Sequence, residues 1–363
     1  MQYFFAKYAT SLLLAAAIAC SATQSESLKG HQIEEIAVAG LNLSIYLPPE
    51  YHENGAYPVV YFNDGQTLFG AKEQSWALQE ILDKLIRKKQ IQPVIVVGIH
   101  SGSNRTSGYV PYRDEWIQKN WGDYSPYAKQ YTEKLIELVI PHIDSVYATI
   151  PDKSSRSVMG ASLGGLQATW AVLHYPEHFS MAGAFSPSYW VADYKIFEDA
   201  KKAKSDQKFY FDIGTAEWNY YVPMISALNL IYGEHVFYYE VPGGRHIQAD
   251  WATRVHNALL IFFGTFKDES YSWDVEIEVI KSQSQANVFY QRLNPIIRYK
   301  NGLTYSLSLT ANYELVNKED GIVKEDGRFE FVKAKDLEVI VTYKGESKEI
   351  ILDYKALERR KKE

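Results

Sequence analysis

Gly160-Ala161-Ser162-Leu163-Gly164 is the stretch of sequence that decides the fold of this chain. It reads Gly-x-Ser-x-Gly and follows the apolar run Ser157-Val158-Met159. Downstream, Leu166, Trp170 and Leu173 repeat at helical spacing. Glycines around a serine allow a tight turn from a strand into a helix, which leaves the hydroxyl exposed above a parallel sheet. The stretch therefore predicts a strand–turn–helix unit with Ser162 as a candidate nucleophile.

A serine hydroxyl is a poor nucleophile at neutral pH, so it needs a base within reach and a third group that orients the base. His246 is the candidate base, because it lies in a glycine-rich turn after the strand-like run 235–241. Glu217 is the candidate acid, because it follows the strand-like run 208–214. The chain order Ser162, Glu217, His246 matches the order known for hydrolases of this architecture.

Two other carboxylates remain alternatives for the acid. Asp212 lies in the middle of a strand-like run, where a buried structural carboxylate is equally expected. Asp250 lies one helical turn after His246, a position typical of a helix cap or a solvent-exposed side chain. The position at a strand end favours Glu217 over both.

An oxyanion formed during ester cleavage needs backbone N–H donors, one of them from the residue after the serine. Leu163 supplies that donor. Gln66 is the candidate for the second, because Asn63-Asp64-Gly65-Gln66 directly follows the apolar run 59–62 and precedes the helix-like run 76–88. Asp-Gly is also a common turn dipeptide, so an ordinary turn is the alternative interpretation.

Four ordered motifs carry a family resemblance. They are Tyr57-Pro-Val-Val-Tyr-Phe-Asn-Asp-Gly-Gln-Thr-Leu-Phe69, Met159-Gly-Ala-Ser-Leu-Gly-Gly165, Ser186-Pro-Ser-Tyr-Trp190 and Gly243-Gly-Arg-His-Ile-Gln-Ala-Asp-Trp-Ala-Thr-Arg254. Over roughly residues 33–266 the chain resembles the putative esterase (esterase D-like) family of α/β hydrolases. That family includes feruloyl and acetyl-xylan esterases of carbohydrate esterase family 1, enterobactin-type siderophore esterases, S-formylglutathione hydrolases and mycolyltransferases.

The resemblance implies that Ser162 is the nucleophile, His246 the base and Glu217 the acid in the family's Gly-Thr-x-Asp/Glu turn. It also implies that the N–H groups of Gln66 and Leu163 form the oxyanion hole. The chain departs from many relatives at two positions that border their cleft. Acidic residues in those relatives are replaced here by Gln248 and Gly108.

The residues expected to bind substrate are Arg105, Tyr109, Trp190 and Trp218. Arg105 and Tyr109 belong to the run 101–124, which is longer than a plain connection and is therefore a candidate for function. Its aromatic residues are Tyr109, Tyr112, Trp116, Trp121 and Tyr124. Such rings could stack on sugar or aromatic acyl groups, and Arg105 or Arg113 could bind a carboxylate or catecholate. A self-packed surface loop is the alternative.

Strand-like and helix-like runs alternate from Tyr57 to Phe263. The strand-like runs are 59–62, 94–99, 158–159, 181–185, 209–213 and 236–241, and helices are expected to begin near Trp76, Tyr124, Leu163, Tyr194, Tyr220 and Gln248. Alternation of this kind predicts a doubly wound, mostly parallel sheet, and with the resemblance it predicts an α/β-hydrolase domain over residues 33–267.

A different pattern follows this domain. Short alternating runs separated by Asn-Gly, Asp-Gly and Lys-Gly turns predict a small antiparallel β-sandwich domain over residues 268–355, followed by a frayed, charged tail at 356–363. All the candidate catalytic residues precede the sandwich. We therefore expect a chain that ends near Lys267 to keep its activity on a small ester within a few-fold.

The beginning of the chain predicts export. Residues 1–19 combine Lys7 with an apolar run of signal-peptide length, and Cys20, the only cysteine, follows directly. Ala17-Ile-Ala-Cys20 resembles a bacterial lipobox, which predicts a lipid-anchored protein of the cell envelope with a linker at 20–32. Cleavage would delete one of the 38 basic residues, against 44 acidic ones, and change the net charge from −6 to −7. Such a charge does not suggest a nucleic-acid partner.

These observations predict a serine esterase without cofactor or metal. A His174/His178 metal pair is disfavoured because Pro176 breaks the helical face that would hold it. The expected substrate is an acyl or feruloyl ester on a polysaccharide, and hydrolysis of a trilactone siderophore is the alternative. Acyl transfer to an alcohol would use the same residues. A non-catalytic surface binding protein is the alternative from a different class.

Overall fold

A computed structural model describes residues 30–72, 75–217, 235–265, 270–281 and 288–362 of the chain. The strands of the main sheet are β1 (Gln32–Val38), β2 (Leu41–Leu47), β3 (Val59–Asn63), β4 (Ile95–Ile99), β5 (Arg156–Ala161), β6 (Met181–Phe185), β7 (Lys208–Gly214) and β8 (Val236–Val241). They lie in the order β1-β2-β4-β3-β5-β6-β7-β8.

The main sheet is mostly parallel, as the sequence predicts. Strands β3 to β8 pair in parallel, while the β1–β2 hairpin joins β4 in antiparallel orientation. Successive side chains of a strand point to opposite faces of the sheet. Because these strands are apolar at consecutive positions, both faces of the sheet are apolar. In β3, Val59 and Tyr61 pack into one core, and Val60 and Phe62 pack into the other.

Helices cover both faces of this sheet. They are α1 (Leu78–Arg87), α2 (Arg105–Tyr109), α3 (Glu115–Trp121), α4 (Ala128–Lys134), α5 (Ile140–Val146), α6 (Leu163–His174), α7 (Ile196–Asp199), α8 (Gln248–Ala252) and α9 (Val255–Phe263), while α10 (Tyr354–Arg360) belongs to the C-terminal part. A π-helical segment, Leu135–Val139, joins α4 to α5, and short 3-10 turns lie at Gly65–Thr67, Lys153–Ser155 and Ala200–Lys202. No helix of the described part is both long and apolar enough to cross a membrane.

The helices differ from the prediction in two places. The run 101–124 contains α2 and α3, so it is not a plain loop. The run 248–263 is not one helix, because it breaks into α8 and α9 at Arg254, whose side chain turns inward and is only 2% exposed. The helix expected near Tyr220 lies outside the described residues.

The C-terminal part is antiparallel, as predicted. Its strands are β9 (Tyr271–Lys281), β10 (Phe289–Tyr299), β11 (Thr304–Ser306), β12 (Asn312–Leu315), β13 (Gly321–Val323), β14 (Phe329–Phe331), β15 (Leu337–Tyr343) and β16 (Glu346–Leu352). They form the sheets β11-β10-β9, β12-β15-β16 and β13-β14. Trp273 and Leu293 of the first sheet share a core with Val339 and Val341 of the second.

The end of the chain differs from the prediction of a frayed tail. Helix α10 begins after Asp353, whose carboxylate accepts a hydrogen bond from the N–H of Ala356 as a helix cap. Leu357 is buried in the C-terminal core. This buried contact anchors a segment that charge alone predicts to be loose.

The junction between the two parts is buried and polar. Arg292 of β10 donates to the carboxylate of Glu240 in β8 at 2.6 Å, and both side chains are 0% exposed. The side chain of Asn294 donates to the Glu240 carbonyl, and the Glu240 N–H donates to Ser306 Oγ. Leu303 packs in a core of the main sheet. The two cores are therefore not independent, which argues against the expectation that a chain ending near Lys267 stays active.

Candidate active site

Ser162 lies at the turn from β5 into α6, with backbone angles φ 58° and ψ −123°. A positive φ is uncommon for a residue with a side chain, so this turn is strained as a nucleophile elbow is. The flanking glycines permit the turn, because a Cβ at Gly160 would lie 2.5 Å from the backbone of Gly164. The Ser162 hydroxyl lies 3.3 Å from the hydroxyl of Ser188.

Glu217 and His246 are in direct contact. Glu217 Oε2 lies 2.8 Å from His246 Nδ1, and the side chains are 0% and 18% exposed. When Nδ1–H donates to the carboxylate, the neutral imidazole keeps Nε2 free of a proton and able to accept one. The ring of Trp251 packs edge-on against the imidazole at 5.0 Å.

The loops that carry Glu217 and His246 pack against each other through glycine. A Cβ at Gly214 would lie 2.0 Å from the carbonyl oxygen of Gly244, so no side chain fits at that position. The N–H of Ala216 donates to the same carbonyl at 3.0 Å. This close backbone approach fixes the separation of the two candidate catalytic residues.

The other oxygen of Glu217 faces three donors. Oε1 accepts hydrogen bonds from the N–H of Gly214 at 2.7 Å, from Ser186 Oγ at 2.5 Å and from Arg254 Nη2 at 3.2 Å. Ser186 begins the segment that also contains Ser188. The segment 186–188 therefore links Glu217 to the elbow at Ser162.

The two alternative acids have other partners. Asp212 is fully buried, and its Oδ1 lies 3.1 Å from Arg254 Nε. The pKa of Asp212 is raised to about 6, chiefly by burial; Arg254 opposes the rise, and the neighbouring Glu217 carboxylate adds to it. Asp250 does not cap the helix through its side chain but pairs with Arg245 at 2.9 Å. Arg245 lowers the pKa of Asp250 by hydrogen bonding to its carboxylate.

The loop that contains Gln66 is held in place by two residues of α2, Arg105 and Tyr109. Asp64 has a positive φ of 61°, and its N–H donates to the hydroxyl of Tyr109 at 2.9 Å. Arg105 donates to both Asp64 oxygens, at 2.7 and 2.8 Å. Leu163 begins α6, where the first N–H groups have no acceptor inside the helix. Gln66 lies in the 3-10 turn after β3 and Leu163 follows β5, so both expected oxyanion donors lie beyond the carboxyl ends of two adjacent parallel strands.

Tyr109 and Arg105 do not occupy the positions expected of stacking or exposed groups. Tyr109 is 1% exposed and cannot present its ring to a substrate. Arg105 lies over that ring at 5.3 Å and is bound to Asp64, so it supports the loop from one side while remaining partly exposed. The sequence does not show which group each side chain contacts, so it could not reveal that Tyr109 is buried and that Arg105 is paired with Asp64.

Three tryptophans form a cluster at the surface, defined here as the tryptophan surface: Trp116 and Trp121, which are exposed, and Trp190, which is half-buried. The ring of Trp190 lies 5.4 Å from that of Trp116 and 5.9 Å from that of Trp121. Trp116 is 51% exposed and Trp121 is 48% exposed. Trp190 is two residues beyond Ser188, so this surface is connected directly to the site.

Two cavities meet at Arg105. A cavity of about 200 Å³ is lined by residues of the candidate site: Asn63, Asp64, Gln66, Thr67, Trp76, Arg105, Ala161, Gln248 and Trp251. A wider cleft of about 1070 Å³ shares Arg105 and includes Arg113 and Lys134. The smaller cavity is lined by Ala161, the residue before the candidate nucleophile, and shares Arg105 with the wider cleft.

The site contains residues to which the sequence assigned no role: Ser186, Ser188, Trp251 and Arg254. All four belong to quoted motifs, but nothing in their spacing indicates which group they contact. Trp218, expected to bind substrate, and Cys20, expected to carry lipid, lie outside the described residues.

A family model described as "Putative esterase" matches residues 39–260. An uncharacterized protein of Bacillus subtilis (strain 168), YbbA, is 29% identical over 164 residues, which are 45% of this chain and 62% of that protein. The endo-1,4-β-xylanase/feruloyl esterase of Xylanibacter ruminicola is 30% identical over 152 residues, which are 39% of this chain and 19% of that protein. The chain thus matches less than two thirds of the length of either relative.

Similar solved structures show the same fold. The BES protein from Bacillus cereus superposes with a TM-score of 0.50 at 20% identity, over 65% of this chain and 96% of that one. The enterobactin esterase FES from Shigella flexneri has a TM-score of 0.51 at 18% identity, over 64% of this chain and 59% of that one. Since the family model covers more than half of its residues, this chain belongs to the putative esterase family.

Proposed function

We propose that this chain is a serine carboxylic-ester hydrolase with Ser162, His246 and Glu217 as its catalytic triad. The observation that carries the proposal is the buried Glu217 carboxylate 2.8 Å from His246 Nδ1. The strained turn at Ser162, which the segment 186–188 links to that pair, supports it. Family membership supports an ester as the substrate.

In the proposed reaction, Ser162 attacks the ester carbonyl while His246 accepts the hydroxyl proton and passes it to the departing alcohol. Glu217 orients the imidazole and stabilises its protonated form. The N–H groups of Leu163 and Gln66 stabilise the oxyanion. Water then cleaves the acyl-enzyme by the reverse use of the same groups.

Labelling with a fluorophosphonate tests the nucleophile, because the reagent reacts with an activated serine. We expect one label, located at Ser162 by peptide mass spectrometry, together with hydrolysis of short acyl p-nitrophenyl esters. A folded protein with neither label nor turnover would support the non-catalytic surface binding protein. Ester products formed with added alcohols would support an acyltransferase.

For the substrate, we propose an acyl or feruloyl ester on a polysaccharide. The xylanase/feruloyl esterase of X. ruminicola provides one line of support, limited to the 152 matched residues. The tryptophan surface provides the other, since exposed indole rings are well suited to contact the flat faces of sugar or aromatic rings.

We expect the double change Trp116→Ala and Trp121→Ala to raise KM for feruloylated xylan fragments by about 5- to 150-fold, at roughly 0.5 to 1.5 kcal/mol per lost ring contact. The kcat for p-nitrophenyl acetate should remain unchanged, because that ester is too small to reach both rings. Leu138→Ala, at a 49% exposed position outside the tryptophan surface, is the control. Equal losses on both substrates would contradict this binding role.

A trilactone siderophore is the second candidate substrate. The wider cleft contains Arg113 and Lys134 besides Arg105, which is paired with Asp64, and cationic side chains attract catecholates and carboxylates. A hydrolysis screen that includes feruloylated xylan, acetylated xylan and a ferric siderophore separates the candidates. Faster cleavage of the siderophore would replace the polysaccharide assignment.

We propose that the protein is exported and anchored to the bacterial cell envelope through lipid on Cys20. A short apolar segment directly before the only cysteine motivates the proposal. In a bacterial host, a radioactive fatty acid should label the wild type but not Cys20→Ser, and the variant should leave the detergent phase. An unlabelled wild type would indicate a conventional signal peptide.

A further inference from the structure

The buried groups behind Glu217 form a closed set of contacts, which we call the carboxylate support: Asp212, Ser186, Trp251 and Arg254. Ser186 is 0% exposed, Trp251 is 8% exposed and Arg254 is 2% exposed. Asp212 is also 0% exposed, so the set is almost entirely buried. Their contacts therefore act on Glu217 without competition from water.

The hydroxyl of Ser186 has a fixed direction. It accepts from Trp251 Nε1 at 2.8 Å and from Arg254 Nη2 at 2.6 Å. A hydroxyl has two acceptor lone pairs and one proton, so both lone pairs are occupied and the proton points to Glu217 Oε1 at 2.5 Å. The backbone of Ser186 has a positive φ of 45°, a strained conformation that the surrounding contacts maintain.

Arg254 lies between two carboxylates. Its Nε is 3.1 Å from Asp212 Oδ1, and its Nη2 is 3.2 Å from Glu217 Oε1. One buried cation therefore serves two carboxylates, which leaves the set with an excess negative charge when both are ionised. That excess is neutralised when His246, on the opposite side of Glu217, takes a proton.

We propose that Ser186 and Arg254 are positioning residues that direct Glu217 toward His246 and withdraw part of its negative charge, so that the imidazole stays neutral and ready to accept a proton. The proposal rests on the proposed triad. Oε1 of Glu217 is occupied by donors, so Oε2 alone remains to accept from His246 Nδ1. Burial and, to a smaller extent, the charge of the neighbouring Glu217 raise the pKa of Asp212 to about 6, so the two carboxylates influence each other.

The test compares two serines at the two ends of β6. Ser186→Ala removes the donor to Glu217, whereas Ser180→Ala removes a hydroxyl that donates to the Lys153 carbonyl at 2.8 Å. We expect Ser186→Ala to lower kcat by about 10- to 100-fold with little change in KM. Losses of this size are typical when a metal-binding histidine loses its hydrogen-bond partner, and Ser186 acts on the partner of His246 in a similar way. Ser180→Ala should keep wild-type kcat.

The pH profile separates positioning from mere structural support. Without the Ser186 donor, Glu217 keeps more of its charge for the imidazolium, so the acid limb of kcat/KM should move to higher pH. The charged or titratable groups facing Glu217 are Asp212, Arg254 and His246. An unmoved acid limb in a folded Ser186→Ala variant would overturn the proposal, even if its kcat were lower.

A second variant covers the case in which Ser186→Ala does not fold. Trp251→Phe removes the N–H that fixes the Ser186 hydroxyl and keeps an aromatic ring against His246. It should move the acid limb in the same direction, with a smaller loss of kcat, and wild-type behaviour would overturn the proposal. Glu217→Gln tests the triad separately from the positioning role of Ser186 and Arg254. Unimpaired activity in that variant would refute the triad itself.

Discussion

Ser162→Ala is expected to lower kcat on a short acyl ester by about 10⁴- to 10⁶-fold, because the proposed base would have no hydroxyl to activate. The fold should be unaffected, since alanine keeps the Cβ and the backbone turn. The measurements are steady-state kinetics with p-nitrophenyl esters, fluorophosphonate labelling and thermal unfolding.

The control for Ser162→Ala is the Ser180→Ala variant, which loses a buried hydroxyl at the far end of β6. It should keep both its label and its turnover. A Ser162→Ala protein that retains more than a tenth of the wild-type rate would place the nucleophile at another residue. If the variant lost both its activity and its cooperative thermal unfolding transition, the substitution would have disrupted the fold at the turn.

Arg292→Met is expected to reduce the free energy of unfolding by about 3–5 kcal/mol, the largest stability effect that the structure suggests. The change leaves the Glu240 carboxylate buried beside an apolar side chain, with the loss of a 2.6 Å charged hydrogen bond. Urea unfolding, followed by circular dichroism, measures the difference. Restoration of part of the stability by Glu240→Gln in the same chain would identify the uncompensated charge as the cause.

Arg298→Met provides the matched control on the same strand. Its guanidinium lies 3.7 Å from Glu276, and the two side chains are 44% and 48% exposed. Exposed pairs of this kind contribute about 0–1 kcal/mol, so this variant should unfold close to the wild type. If Arg292→Met and Arg298→Met lowered the free energy of unfolding equally, burial of the Arg292–Glu240 pair would not explain the effect of Arg292→Met.

The positions of the parallel strands along the chain were predictable from sequence because each buried strand is an apolar run followed by a turn. Val59–Asn63 and Met181–Phe185 are buried along their whole length, which is why they stand out without alternation. The β1–β2 hairpin was not predicted. Its first strand, Gln32–Val38, is half-exposed and carries charged residues, so its sequence resembles a linker.

The candidate site was predictable where position along a strand determines the role. Glu217 was favoured by its place after β7, and the structure brings it to His246. The carboxylate support was not predictable, because its contacts join residues that are far apart in sequence. Ser186 and Arg254 are 68 positions apart, and no periodicity or turn signal connects them. Pairing of this kind is decided only when the strands assemble.

The polar junction at β8 has a consequence for self-association. A strand at the end of a sheet exposes N–H and C=O groups to which another chain can add, and this is a common route to aggregation. In β8, the main-chain N–H of Glu240 donates to Ser306 Oγ and its carbonyl accepts from the Asn294 side chain, and both partners belong to the C-terminal part. The opposite edge, β1, carries Glu34 and Glu35 instead. One end of the sheet is thus covered by neighbouring strands and the other is protected by charge.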